Sequence, residues 1–469
     1  MTGSSLIALG LTWWQAIIAI VLGQIIATIL VVLNSLPGAY YYYGFQAWIG
    51  GECVYICLQA IWPNLEERIP NTLSSSMGTT TATFVSYIIF MVISLPVIYI
   101  RPFKLNYLFY GSSAIILVFE IVLLIWSLAT MGPEGFGSTI SNTSGTSSGW
   151  NIAFGIISTI GSIAAGILNQ NDYARFARKP RDAVWGQVIS FPFYAIVCCV
   201  IGILVTAATQ ERYGEAKWNL PTLFSAIIEH GGSRSRAAAF FGGAALVISQ
   251  IGVNVPGNAL AGGMRIRSCL LFSLLTFILG FDLAATFPRY INIRRGAYIT
   301  AAISVACNPW KLVNTATTFL AVLSSYSVFL GPMTGLMISS YFVINRCKIK
   351  VDDLFIGDSS SIYWYTYGLN WRAIVAWICG TVPSLPGFVA YVSSGVTVPI
   401  GLTHLYYICF LSGLVISAFV YCGLHYLFPV AAIKDFMENS PSAKVLMREY
   451  QERWDRGDEV ETVVETPKL

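Results

Sequence analysis

Charge is what this chain has least of. Only 11% of its 469 residues are Asp, Glu, Lys or Arg, whereas 55% are hydrophobic, and the mean hydropathy is +0.66. Soluble domains carry about 25% charged residues, so a soluble globular fold is excluded. The net charge of +4 says little until the positions of Lys and Arg are known. The composition predicts an all-α polytopic membrane protein.

Histidine is equally scarce, and no metal-binding pattern is present. The three histidines, His230, His404 and His425, are isolated along the chain. Ten cysteines are scattered through apolar segments, and Cys53 and Cys57 share a helix face without a histidine or a second cysteine pair nearby. We interpret them as small buried hydrophobic residues. Without a disulfide framework or a catalytic His/Asp/Glu cluster, we predict no enzyme, no metal site and no cofactor.

Eleven apolar windows are candidates for spanning a bilayer. They lie at 11–33, 44–62, 82–100, 108–131, 151–170, 186–208, 237–260, 296–310, 313–344, 371–393 and 403–428. The window 296–310 is short for a span, and 313–344 is predicted to break at Gly331-Pro332. A further apolar run at 268–281 has 14 residues and is too short to count as a crossing. No cleavable signal peptide is evident, because no basic region precedes the first apolar run.

Basic residues fall at every second connection between these windows. They cluster after 82–100, after 151–170, near 282–295 and after 313–344. The positive-inside rule assigns these loops to the cytoplasm. Another loop, on the predicted outer side, carries a sequon that makes Asn142 a glycosylation candidate. We therefore expect residues 1–430 to form a transmembrane domain and residues 431–469 to form a charged cytoplasmic C-terminal tail.

The stretch Ala245–Gly263 is apolar but carries two amides, Asn254 and Asn258. Residues four apart share one face of a helix. Pro256 and Gly257 lie between them, so the helix can kink or open there. A polar, breakable helix at bilayer depth is tolerated where it faces protein or a water-lined cavity, which makes it a candidate binding site. The alternative is that the amides only join neighbouring helices.

Several long motifs occur in one order along the chain, namely LTWWQAIIAIVLGQIIATILVVLNSLPGA, QAWIGGECVY, GILNQNDYARFARKPRDAVWGQ, ISQIGVNVPGNALAGG, DLAATFPRYINIRRG and SYSVFLGPMTG. Together they resemble the nucleobase–cation symporter-1 family, and within it the fungal uracil/allantoin/uridine permease branch. The resemblance covers nearly the whole chain except 264–280 and the tail. It implies twelve helices in the five-plus-five inverted-repeat fold. It also implies proton- or sodium-coupled uptake of uracil, allantoin, uridine or a similar heterocycle at the plasma membrane.

The resemblance also implies which residues hold the substrate. Asn258 matches an amide on the family's eighth helix, and Gln46 matches a glutamine on the third helix that faces it. A carboxamide offers a donor and an acceptor together, which suits the C=O/N–H edge of a heterocycle. Asn254, one turn earlier, is expected to brace Asn258. Around the family's sodium position this chain has Gly252 and Val253, which lack hydroxyl ligands, so proton coupling is favoured over sodium coupling.

The window around 151–171 is the candidate sixth helix of the family fold. Inverted-repeat transporters bind their substrates where helices are interrupted near the middle of the membrane. Gly161 and Gly166 are expected to make this helix breakable. Asp172 stands at its predicted cytoplasmic end, and we interpret it as a cap or a gate ion pair rather than as a substrate contact.

Four further residues are candidates for coupling or gating. Glu52 lies within an apolar segment, where a carboxylate is costly unless it is paired or protonated, so it is a candidate for proton coupling. The alternative for Glu52 is a hydrogen bond between helices. Phe329, Leu330 and Met333 lie at the expected break in 313–344, where the resemblance implies a gate on substrate access.

The chain departs from the family pattern at three places. Its first helix is expected to be missing, which leaves about eleven helices instead of twelve. NSLPGAYYYYGF runs straight into QAWIGGEC, where the family has more residues, including an aromatic residue that stacks on the substrate ring. The run 264–280 is interpreted as a foreign insertion. These features predict an incomplete or mis-spliced member, so a transport-inactive relative or pseudogene product is the alternative to a working symporter.

The expected partners are a small heterocyclic solute, a co-transported proton and the lipid bilayer. Basic residues are spread among membrane loops, so no nucleic-acid partner is predicted. No ring of pore-lining charges is visible, which leaves a channel unsupported. The choice of substrate and the oligomeric state stay open from the sequence.

Overall fold

The computed structural model describes residues 1–33, 40–100, 105–133, 135–136, 147–174, 186–260, 293–306, 308–312, 315–356, 358–393 and 395–442, together with 445–446, 448–449 and 452. Helices dominate these residues. A helix satisfies its own backbone hydrogen bonds, which the hydrocarbon interior of a bilayer cannot do. The apolar segments among the described residues therefore fold mainly as helices.

The first half of the chain forms helices α1 (Thr2–Ala8), α2 (Trp13–Leu33), α3 (Tyr40–Ile61), α4 (Leu65–Arg68), α5 (Thr81–Ile98), α6 (Leu105–Ala129), α7 (Ser147–Ala174), α8 (Phe191–Tyr213), α9 (Leu220–Glu229) and α10 (Ser233–Asn254). A π-helical turn at Gly186–Ser190 precedes α8, and another at Val255–Leu260 follows α10. The short helix α1 is buried in the bundle, with Leu6 inaccessible to solvent.

The second half forms α11 (Ile293–Ala306), α12 (Pro309–Leu312), α13 (Ala316–Ile338), α14 (Trp371–Thr381), α15 (Leu385–Val392), α16 (Ile400–Tyr407), α17 (Cys409–Leu427) and α18 (Ala431–Asn439). A π-helical turn at Ser339–Ile344 extends α13. Short 3₁₀ turns lie at Ser75–Met77, Asp352–Phe355 and Val382–Ser384.

Each of the eleven predicted windows contains at least one of these helices. Among the described residues, eight segments are long and apolar enough to cross a membrane. They are Trp13–Leu30, Thr81–Ile98, Tyr107–Ala129, Gly186–Tyr213, Ser233–Asn254, Ala316–Ile344, Trp371–Val392 and Cys409–Leu427. Their outward faces carry large apolar side chains such as Val118 and Phe419, which are 62% and 75% exposed. This pattern is the one expected where lipid replaces water around a helix bundle.

Small residues let the helices of the bundle approach closely. A Cβ added at Gly161 of α7 would collide with the carbonyl oxygen of Leu323 on α13. At the same crossing Ser327 Oγ donates to the carbonyl oxygen of Ile157, at 3.1 Å. Membrane helices lack a hydrophobic force between them, so close packing and interhelical hydrogen bonds of this kind hold them together.

Two expectations about helix breaks were wrong. The helix α13 runs without interruption through Gly331 and Pro332, and its irregular turn comes only at Ser339–Ile344. Ser417 Oγ donates to the carbonyl oxygen of Pro332 at 2.8 Å, so a neighbouring helix supports the backbone beside the proline. The helix α7 is also continuous, because its Gly161 serves close packing instead of a break.

Three irregularities were not predicted. The span at 371–393 is divided by the 3₁₀ turn at Val382–Ser384, next to Pro383 and Pro386. The last span begins as a separate short helix, α16, before α17. An additional helix, α9, stands in a connection that the windows left as a loop. The runs around 264–280 and Asn142 lie outside the described residues.

The tail begins with α18, whose carboxyl end is held by the loop that follows α13. Lys348 Nζ donates to the carbonyl oxygens of Met437 at 3.0 Å and Ser440 at 2.9 Å. The last carbonyls of a helix have no partner within it, and a lysine is a suitable donor for them. The start of the tail is therefore fixed against the transmembrane domain.

Gly161→Ala should destabilise the bundle, because the new Cβ has to move the α13 backbone. We expect a loss of about 1–3 kcal/mol, typical of overpacking. Gly166→Ala is the matched control, since its Cβ would meet nothing within 4 Å and it lies on the same helix. The unfolding midpoint of each variant is measured by heating the detergent-purified protein and following the loss of the folded species by size-exclusion chromatography. Equal midpoints for the two variants would contradict the close crossing.

Candidate functional site

The site is built on the antiparallel packing of α3 against α10. Near one end, Arg236 of α10 donates through Nε to the carbonyl oxygen of Ala60 at 3.0 Å. Further along, a Cβ at Gly243 would meet the sulfur of Cys57 and the carbonyl oxygen of Cys53. Since both helices rise by the same amount per residue, this register places Gln46 opposite the last turn of α10, which ends at Asn254.

Beyond Asn254 the helix widens into the π turn Val255–Leu260. Pro256 has no backbone N–H to donate, which favours an altered hydrogen-bonding pattern at this point. Single π turns of this kind occur frequently at functional sites. The turn contacts α3, α5 and α11. The expectation that α10 is irregular at Pro256-Gly257 is therefore confirmed.

Asn254 and Asn258 meet across this turn. Asn258 Nδ2 donates to Asn254 Oδ1 at 2.9 Å. Asn254 is fully buried, whereas Asn258 keeps partial exposure. The bond uses one of the two N–H donors of Asn258 and leaves its second donor and its carbonyl oxygen for another partner. The buried amide thus orients the more accessible one, which is the bracing that the sequence predicted.

Gln46 lies on the part of α3 that faces the same region. Its side chain is half-buried, while the next residues, Ala47 and Trp48, belong to the core. The structure thus places Gln46 on the helix packed against α10 and against the π turn. An amide on each side of a helix crossing is an arrangement that can read a polar edge with paired donors and acceptors.

Glu52 accepts two hydrogen bonds. Its Oε1 accepts from Trp48 Nε1 at 3.1 Å, and its Oε2 accepts from Asn219 Nδ2 at 2.9 Å. Asn219 stands just before α9, so the carboxylate joins α3 to the connection between α8 and α10. Two donors compensate for the removal of a carboxylate from bulk water. The hydrogen bonds reach along α3 and to Asn219, which stands at the N-cap of α9, so the alternative of a hydrogen bond between helices stays open.

Trp48, the donor on the same helix as Glu52, belongs to a cluster of aromatic rings. Its ring centroid lies 5.5 Å from that of Tyr87 and 5.8 Å from that of Trp310. Packing of this kind restricts the orientation of the indole and therefore of its N–H. Sequence reasoning missed both Trp48 and Asn219 as partners of Glu52. The spacing of Trp48 and Glu52, four residues apart on a helix, was a usable signal, but nothing local marked Asn219.

Phe329, Leu330 and Met333 are half-buried on α13. The ring of Phe329 stacks on Trp377 of α14 with centroids 6.4 Å apart, and Trp377 Nε1 donates to the carbonyl oxygen of Phe329 at 3.1 Å. The predicted gate segment is therefore held by α14. Of the remaining predicted residues, Asp172 has its backbone in the last turn of α7, but its side chain lies outside the described part, as does all of Asn142.

Comparison with known proteins gives a consistent picture. The sequence profile of the family described as "Permease for cytosine/purines, uracil, thiamine, allantoin" matches residues 1–42 and 39–413. The transporter aclS of Aspergillus oryzae is 32% identical over 92% of this chain and 81% of its own length. The allantoin permease and the uracil permease of Saccharomyces cerevisiae are 33% and 31% identical, each over 90% of this chain and 69% and 70% of their own lengths.

A solved structure shares the fold. Mhp1, a nucleobase–cation-symport-1 family transporter in a closed conformation with bromovinylhydantoin bound, superposes with a TM-score of 0.64 at 18% identity. The superposition covers 93% of this chain and 92% of Mhp1. An inward-facing structure of Mhp1 gives a TM-score of 0.62.

Asn219→Asp should make stability depend on pH. The new carboxylate replaces a hydrogen-bond donor beside Glu52 with a like charge. We therefore expect the free energy of unfolding to fall by roughly 2–4 kcal/mol near neutral pH. In acid, a shared proton removes the repulsion and restores a donor, so the loss should shrink as the pH falls. Thermal unfolding in detergent at about pH 5 and about pH 8 measures the difference from the parent chain.

The double variant Glu52→Gln/Asn219→Asp is the control for this experiment, because it keeps one carboxylate and removes the pair. The difference in unfolding midpoint between this double variant and Glu52→Gln should not change with pH in the way expected for Asn219→Asp. A loss of stability in Asn219→Asp that is equal at both pH values would contradict the contact with Glu52.

Proposed function

The chain belongs to the family of permeases for cytosine/purines, uracil, thiamine and allantoin, and from this premise we propose proton-coupled uptake of a nucleobase-like heterocycle across the plasma membrane. The predicted membership of the nucleobase–cation symporter-1 family is confirmed, and so is the five-plus-five inverted-repeat fold. The family consists of membrane transporters and not of enzymes, as the sequence predicted.

The observation that carries the proposal is the pair of amides at the π turn. Asn254 orients Asn258, and α3 presents Gln46 opposite the last turn of α10. A uracil, hydantoin or ureide ring has alternating C=O and N–H groups along its edge. Two carboxamides match such an edge without adding charge, and a site of this kind rejects analogues that lack the matching groups. Substrates that the relatives' names mention, uracil and allantoin, have such edges.

Glu52 is the proposed coupling residue. It lies on α3 six residues after Gln46, which corresponds to roughly 9 Å along the helix. Its two hydrogen bonds connect the helix of the amide site to the loop before α9. A carboxylate in this position changes its preferred partners when it takes up a proton, because one oxygen then becomes a donor. Protonation therefore links the binding helix to a movable connection.

Gating is proposed for the contact between α13 and α14. Phe329 stacks on Trp377, and the indole N–H of Trp377 fixes the backbone at the same residue. A gate needs a side chain that can change its rotamer while the helix stays in place. The continuous helix α13 provides such a support, and the irregular π turn at Ser339–Ile344 lies beyond it.

A second candidate, a transport-inactive relative, has a specific observation in its favour. The family profile matches in two pieces that meet at residues 39–42, where the sequence predicted missing residues. The alignment with aclS extends over 502 residues, which exceeds the 469 residues of this chain, so that relative has residues without a counterpart here. If the aromatic residue that stacks on the substrate ring in the family is among them, the amides alone bind the substrate weakly.

Asn258→Ala should abolish most uptake if the amide pair holds the substrate. Loss of its hydrogen bonds to a buried polar edge costs about 1.5–3 kcal/mol, or roughly 10–150-fold in kcat/KM. The measurement is uptake of labelled uracil, allantoin, uridine and thiamine by yeast cells that lack their own permeases. Val253→Ala is the matched control, because Val253 is 54% exposed on the same helix.

Two outcomes of this experiment decide between the candidates. Uptake by the parent chain that survives in Asn258→Ala would contradict the proposed site. No uptake of any of the four solutes by a parent chain that reaches the cell surface would favour the transport-inactive relative.

Glu52→Gln should uncouple transport from protons. The amide keeps the shape of the side chain but does not take up a proton in the physiological range, so accumulation against a gradient should be lost while exchange of labelled for unlabelled solute continues. Uptake into proteoliposomes with and without an imposed pH gradient measures this. Glu67→Gln, which alters an exposed carboxylate bonded to Asn64, is the control. Unchanged gradient-driven accumulation in Glu52→Gln would remove Glu52 from the coupling mechanism.

A further inference from the structure

A cavity of about 290 Å³ lies beside Glu52, away from the amide pair. It is bounded by α3 and α9 and by the connection that precedes α9. Its lining includes Glu52, Tyr55, Lys217, Thr222, Ser225 and Glu229. By the distribution of basic loops, this end of α3 lies on the predicted outer side of the membrane.

The cavity presents hydrogen-bond acceptors. The hydroxyl of Thr222 donates to the carbonyl oxygen of Asn219 at 2.7 Å, and that of Ser225 donates to Gln59 Oε1 at 3.0 Å. Tyr55 likewise donates its hydroxyl to Glu66 Oε1 at 3.1 Å. Each hydroxyl has one hydrogen, so what remains on these oxygens is acceptor capacity.

The charged side chains of the cavity also favour an occupant that donates hydrogen bonds. Glu52 and Glu229 are both carboxylates, and a carboxylate has about four acceptor positions, of which Glu52 uses two. Lys217 is the basic residue of the described lining, and its ammonium forms an ion pair with Glu215. The lining therefore keeps an excess of acceptors and of negative charge.

The size of the cavity restricts its occupant. Ligand sites usually begin at about 300 Å³, so this cavity is suited to a single ring and not to a nucleoside. A neutral heterocycle with two N–H groups, such as a cyclic ureide or imide, supplies donors to a lining in which acceptors predominate. The cavity also lies on the helix that carries Gln46, roughly 9 Å further along it.

We propose that this cavity is an outer binding site that takes the N–H edge of a single-ring cyclic ureide or imide before the solute reaches Asn258. The site rests on the proposed function for its choice of solute, but its chemistry is set by the acceptors of α3 and α9. Glu229 and Glu52 accept the N–H groups of the solute, and Thr222 and Ser225 line the cavity beside them. Glu52 thereby meets both the arriving solute and the coupling proton.

Protection of an engineered cysteine tests this site. Thr222→Cys places an accessible thiol in the lining, and Asn258→Ala in the same chain removes the inner site. The rate of modification by a membrane-impermeant methanethiosulfonate reagent is measured on whole cells, with and without uracil. We expect uracil to slow the reaction several-fold, with half-protection at about 1 mM, a weak affinity suited to a few neutral hydrogen bonds.

Two matched controls make the result specific. 1,3-Dimethyluracil keeps the ring and both carbonyls but has no N–H, so it should give no protection. Ser233→Cys is exposed near α9 but does not line the cavity, so uracil should leave its reaction rate unchanged. Glu229→Gln combined with Thr222→Cys should lower the protection by uracil. Ser225→Cys serves as the second reporter if Thr222→Cys does not reach the cell surface.

Three results would overturn the outer site. They are an absence of protection, equal protection by uracil and dimethyluracil, and protection that requires an intact Asn258. Failure of the proposed function gives a different result. The parent chain then shows no uptake, whereas uracil, but not 1,3-dimethyluracil, still protects the thiol of the Thr222→Cys variant. The outer site would stand in that case.

Discussion

The close antiparallel contact between α3 and α10 is the constraint on which the functional part of this protein depends. Gly243 lets the two backbones approach at Cys53 and Cys57, and Arg236 joins the ends of the helices. This register decides which residues face each other, because a shift of one residue turns a helical side chain by about 100°. It brings Gln46 to the level of the amide turn and points the far end of α3 towards α9. The candidate amide site, the carboxylate of Glu52 and the cavity are thus arranged along α3.

Much of the fold followed from the sequence because the membrane imposes a simple rule. Apolar segments of sufficient length have to be helices, and each predicted window contains one. The irregular turn after Asn254 was also predictable, since Pro256 removes a backbone donor. The same reasoning failed at Pro332, where Ser417 on α17 supports the backbone and α13 stays continuous. Whether a proline or a glycine interrupts a helix depends on its neighbours, and those are distant in the sequence.

The residues of the candidate site were likewise predictable from the sequence only in part. Asn254, Asn258 and Glu52 attract attention because polar groups are rare in apolar segments. Asn219, the partner of Glu52, and Trp377, the partner of Phe329, do not, since an asparagine in a loop and a tryptophan in a span are both common. Asn219 is 167 residues from Glu52 along the chain, so only the fold reveals the contact. The family resemblance supplied Gln46, which composition and spacing alone did not single out.

The contact of Lys348 with α18 has a mechanical consequence. The loop that carries Lys348 continues directly from the irregular end of α13, and its ammonium holds two carbonyl groups of the tail helix. Any displacement of that end of α13 therefore either carries α18 along or breaks both hydrogen bonds. The start of the tail is thus mechanically coupled to the helix for which a gate is proposed.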